Sequence, residues 1–75
     1  MEVTNAIGLL KYLDEMIKEN RETVPPSEEV LKEYLEARSL LDRGTPFSRD
    51  LLGVHAEKGI ELYQAQIDEA KKLPG

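Results

Sequence analysis

The chain has 75 residues, no cysteine, no tryptophan and a net charge of −5. Without cysteine there is no disulfide framework, no thiolate zinc site and no cysteine nucleophile, and the acidic balance argues against direct capture of nucleic acid or of an anionic membrane surface. The apolar residues, 40% of the chain, are mostly aliphatic and aromatics make up only 5%, a composition that favours a leucine-rich helical core over a sheet.

No apolar run approaches the roughly 18 residues of a membrane span. The opening stretch MEVTNAIGLLKYLDE is acidic where a secretory leader is basic, so the expected setting is the cytoplasm. At this length one helical domain, residues 1–75, is expected, held by packing alone. The charge is localised. Between Asp14 and Glu36 stand eight acids and three bases, which account for the whole imbalance, and the rest of the chain is formally neutral.

The first helix is expected over about 4–21, capped by Thr4 or Asn5. Val3, Ala6, Leu10, Leu13 and Ile17 follow at alternating steps of three and four residues, an a/d-like seam that Ile7, Leu9 and Met16 widen. Tyr12 lies well round from that seam, where it is partly exposed. Val24-Pro25-Pro26 then forces a stiff, extended connection.

The second helix is expected over 27–43, with Ser27 as N-cap and Glu28 and Glu29 in the first turn, where the helix dipole favours acids. Val30, Tyr34, Ala37 and Leu41 form its inner stripe and Leu31, Leu35 and Leu40 flank it. Gly44 supplies the left-handed residue that ends it.

The third helix, about 48–73, carries the longest pattern. Leu52, Ala56, Ile60, Tyr63, Ile67 and Ala70 share one face. Its start is either Thr45 with Pro46 in the first turn or Ser48 with Phe47 as a hydrophobic staple, and Ser48 is preferred. Lys71 and Lys72 suit the last turn and Pro74-Gly75 stops it. Gly53 and Gly59 each cost roughly 1 kcal/mol against alanine in a helix interior. They mark either a kink or break near Gly53 or, with Ala56, a strip of small residues that admits another helix backbone. Short connections between three amphipathic helices imply an all-α, antiparallel up-down-up three-helix bundle, with the third helix about a third longer than the others.

Nothing in the chain spells out a chemistry. His55 is the only histidine; Leu52 stands where the Glu-x-x-His arrangement of di-iron bundles needs a glutamate, and no orienting partner is evident for a catalytic base. The acid pairs Asp14-Glu15, Glu28-Glu29 and Asp68-Glu69 read as solvated helix charges with lysines three or four residues away. No metal, cofactor or catalytic residue is expected. A helix-turn-helix reading of Ser48 to Gln64 fails, since Gly59 stands where a buried aliphatic is required and Glu57, Glu61 and Asp68 are too acidic for phosphates.

What rises above background is surplus apolar surface: Leu9, Tyr12 and Met16 on the first helix, and Leu51, Val54, Leu62 and Ala65 on the third. The leading expectation is a non-enzymatic protein-interaction or assembly module that forms a homo-oligomer, a dimer first of all, through helix three. The residues assigned to that interface are Leu51, Leu52, Gly53, Ala56, Gly59, Leu62 and Tyr63, and Gly59→Leu should abolish association with helix content intact. The alternative is an acidic inhibitor or adaptor that docks Glu15, Glu19, Glu22, Glu28, Glu29 and Glu33 on a basic surface of a nucleic-acid-handling protein.

Overall fold

A computed structural model describes residues 5–72. They form three α-helices, α1 (Ala6–Asn20), α2 (Glu28–Arg43) and α3 (Pro46–Lys72), with no strand among the described residues. The architecture is the expected all-α three-helix bundle. Val3, Thr4 and the Leu73-Pro74-Gly75 stop fall outside the described residues.

Each helix begins where a side chain takes up an orphan N–H. The Asn5 side chain accepts from Ile7 N at 2.9 Å and the Ser27 hydroxyl from Val30 N at 3.4 Å. The start of α3 differs from the preferred expectation. Thr45, not Ser48, is the cap: its Oγ1 accepts from Ser48 N at 3.1 Å and its carbonyl accepts from Arg49 N at 3.0 Å, so Pro46 opens the helix. Proline suits that place because its missing N–H is one of the orphans anyway. Ser48 is then carried inside the first turn, buried, with the Thr45 hydroxyl donating to its Oγ at 2.8 Å. Phe47 is no staple, being 72% exposed. Gly44 ends α2 at φ 70°, a conformation any side chain would strain.

No break occurs at Gly53 or Gly59, and α3 runs unbroken for 27 residues, nearly twice the 15 of α1 and well beyond the 16 of α2. Residues 68–72 are exposed, Ala70 among them, so the last turn overhangs the bundle. Helix α2 lies antiparallel to the other two. α3 carries most of the packing, and α1 and α2 touch each other far less than either touches α3. The molecule is accordingly flat, 45 × 27 × 16 Å.

The core has two parts. Leu13, Met16, Val30, Tyr63 and Ile67 meet near the α1–α2 connection; Leu10, Ala37, Leu52 and Ala56 meet at the other end, and Tyr34 packs against both. Each large aliphatic buried this way contributes about 1.5–3 kcal/mol. Two polar side chains of α3 fasten the connection. The fully buried Tyr63 donates its hydroxyl to the Val24 carbonyl at 2.7 Å. Gln66 grips both sides of Pro26: its Oε1 accepts from Ser27 N at 2.9 Å and its Nε2 donates to the Pro25 carbonyl. A proline-rich stretch forms no ladder of its own, and the Tyr63 hydroxyl and Gln66 Nε2 supply donors to its carbonyls while Gln66 Oε1 takes up the Ser27 N–H.

Candidate protein-interaction surface

The residues assigned to a helix-three interface are largely consumed inside the chain. Leu52, Ala56, Gly59 and Tyr63 are buried, and Leu51, Gly53 and Leu62 are half-buried. The small-residue strip does admit a helix, but from within the chain: α1 meets Gly53 and Gly59, and α2 meets Gly59 as well. A Cβ on Gly53 would lie 3.3 Å from Ala6 Cβ, and one on Gly59 would lie 2.7 Å from Leu13 Cδ2 and 3.5 Å from Glu33 Cβ. The expected effect of Gly59→Leu is therefore corrected: it strikes the core before it reaches any partner. Met16, counted as surplus, is buried as well.

The acidic group divides. Glu15, Glu19, Glu22, Glu28 and Glu29 are exposed. Glu33 is not part of an open patch: its side chain is only 13% exposed and reaches α3, where Oε2 lies 2.6 Å from His55 Nδ1 and Oε1 lies 3.8 Å from Lys58 Nζ. His55 thus has a structural partner on another helix, one that spacing along its own helix cannot reveal. Among the described residues no three histidine or acidic side chains converge as metal ligands, no buried side-chain polar atom lacks a hydrogen bond, and no helix is long and apolar enough to cross a membrane.

Exposed large apolar side chains gather elsewhere. Ile7, Leu31, Leu35 and Leu41 are 43%, 38%, 62% and 41% exposed, and all four stand on the loosely packed α1–α2 pair. Phe47 and Val54 on α3 and Tyr12 on α1 are exposed too, Val54 beside a hollow between α1 and α3 that Ala6, Leu9, Arg49 and Glu57 also line. Between α1 and α2 runs a groove of about 430 Å³. Its α1 wall is Ile7, Lys11, Asp14 and Lys18, one helical strip at steps of four, three and four; its α2 wall is Tyr34, Arg38 and Leu41, with Leu10 between. Leu31 and Leu35 are exposed on α2 outside the groove's lining.

The middle of the groove is polar and ordered. Tyr34 donates its hydroxyl across to the Asp14 carboxylate, which also pairs with Lys18 Nζ at 3.1 Å. Arg38 Nη1 donates to the Tyr34 oxygen at 3.4 Å, and its guanidinium carbon lies 5.8 Å from the ring centroid, within cation–π range. The Tyr34 hydroxyl, then Lys18, hold the Asp14 carboxyl below its ordinary value. Burial, then the Asp14 bond, push the Tyr34 phenol up. Composition and periodicity do not single this site out: the helical period puts Tyr34 and Leu41 on the inner stripe and Leu31 and Leu35 on its flanks. The one available signal was that Leu31 and Leu35 lie about 100° or more from Val30, too far round to share its pocket.

Scans against known protein families, curated proteins and solved structures match this chain to none of them.

Proposed function

We propose that this chain is a non-enzymatic protein-interaction module, and that the surface it presents is the α1–α2 face rather than the small-residue strip of α3. The observation that carries this reading is the gathering of Ile7, Leu31, Leu35 and Leu41, all exposed, along the one helix pair that packs loosely. Helix pairs in a bundle ordinarily bury such residues against each other; here the apolar edge is left for something outside. The acidic-inhibitor reading loses Glu33 to His55, and Glu28 and Glu29 are accounted for as first-turn acids on the α2 dipole.

Site-specific photocrosslinking in cells tests the reading. A photoreactive side chain in place of Leu35 should give a discrete protein adduct, and the same group in place of Glu61, on the outer side of α3, should not. Equal yields from both places, or none from either, would overturn the assignment of the surface. The cytoplasm belongs to the same proposal, and recovery of the native protein in a membrane or secreted fraction would overturn that part.

A further inference from the structure

We propose that the α1–α2 groove binds an acidic amphipathic helix supplied by a different protein. This rests on the interaction reading above and names its occupant.

Charge decides the kind of partner. Lys11, Lys18 and Arg38 line the groove against the single acid Asp14, on a chain whose net charge is −5. Asp14 is already engaged by the Tyr34 hydroxyl and by Lys18, so the groove faces outward as a basic strip beside one apolar end. Arg38 is held in place for such a role: one nitrogen meets the Tyr34 oxygen and the guanidinium lies over the ring. The remaining N–H groups of its planar fork are positioned for a carboxylate, which such a fork binds in two parallel hydrogen bonds.

Shape decides the form. The groove runs between two antiparallel helices, with Ile7, Leu10 and Leu41 at one end and Lys18 at the other. A third helix laid along it would complete a four-helix arrangement, its apolar residues at i, i+3 and i+7 meeting Ile7, Leu10 and Leu41 and its acids meeting Lys11, Arg38 and Lys18. A second copy fits poorly. Pairing the same face about a two-fold axis brings the basic strips of both copies together, and a head-to-tail contact that delivers the acidic corner to the next groove makes no two-fold dimer.

The test uses the full-length ¹⁵N-labelled chain and two synthetic helical peptides of about 18 residues, roughly 27 Å at the helical rise. Both carry leucines at i, i+3 and i+7, one with glutamates and one with lysines on the flanks. The expected result is amide shifts over 7–18 and 31–41 with the acidic peptide, binding at least about tenfold tighter than the basic one at low salt, and a difference that shrinks near ~0.5 M salt. Combining Lys11→Glu with Arg38→Glu should reverse the preference. The amide spectrum of that variant reports whether it is folded, and Lys11→Glu alone, an exposed change, should already narrow the preference. Equal binding of both peptides would overturn the acidic partner and leave the interaction surface standing. Shifts over the same residues on raising the concentration of the chain alone, with a doubled mass by light scattering, would replace the partner by a second copy. No shift with either peptide, in a chain that stays monomeric, would overturn both this inference and the surface it rests on.

Discussion

A methyl group on Gly59 would sit 2.7 Å from Leu13 Cδ2, and Leu13 is itself fully buried. The glycine is therefore a packing requirement set by the neighbouring helix. Gly53 differs: its nearest neighbour is Ala6 Cβ at 3.3 Å, so a shift of the first residue of α1 by a few tenths of an ångström admits a Cβ there. Alanine at 59 gains up to about 1 kcal/mol of helix propensity but overpacks a closed site at about 1–3 kcal/mol, so Gly59→Ala should lose roughly 1 kcal/mol. Gly53→Ala should gain up to about 1 kcal/mol. Urea midpoints of the two variants check the order, and the opposite order would refute the assignment of which glycine touches α1 hardest.

The hold of Tyr63 on Val24 gives an alkaline limit to stability. Burial pushes the Tyr63 phenol up, so the fold prefers the neutral form. That preference is fully present below the ordinary phenol value of about 10 and is lost as pH rises through the folded value. Tyr63→Phe should weaken the loss of stability above pH ~10. It should also cost roughly 1–3 kcal/mol at neutral pH, because the Val24 carbonyl is left without its donor. Chemical denaturation at neutral and alkaline pH measures both, and an unchanged alkaline limb in the variant would assign the effect to Tyr34, whose phenol is also raised.

Asp14 sets an acid limit of the opposite sign. Its folded value is lowered, first by the Tyr34 hydroxyl and then by Lys18, so its contribution is present above the ordinary carboxylate value near ~3.9 and fades as pH falls through the folded one. Removing the largest cause with Tyr34→Phe should bring the Asp14 titration, followed by side-chain NMR, up toward the ordinary value. A titration unmoved by that substitution would place the cause with Lys18.

Glu33 and His55 tie α2 to α3 at 2.6 Å. A double-mutant cycle with Glu33→Gln and His55→Phe should return a coupling of about 0.5–1.5 kcal/mol at neutral pH. Both residues are partly sheltered, so the coupling should survive salt better than the exposed Lys72–Glu69 contact. A coupling of zero would mean the pair is incidental.

The sequence by itself determined the number of helices, the cap at Ser27, the stop at Gly44 and most of the buried positions. Those follow from the 3.6-residue period and from local hydrogen bonds, both written in neighbouring residues. At the first cap it left Thr4 and Asn5 open, and it placed Leu41 and Ala70 inside where they are exposed. The choice of Thr45 over Ser48 was another local point it left open, because either hydroxyl can cap and the outcome depends on whether Ser48 is wanted inside. Only the tertiary structure decided which helix the Gly53, Ala56 and Gly59 strip receives, since a small-residue face admits a helix of the same chain as readily as one from outside. It also decided that Glu33 turns inward to His55, that Gln66 clasps the proline connection 39 and more residues earlier, and that α1 and α2 stand apart with Tyr34 and Arg38 between them. Helical periodicity reports the direction in which a side chain points and carries nothing about what lies there; distance across the bundle is settled by how far α3 spreads its two partners.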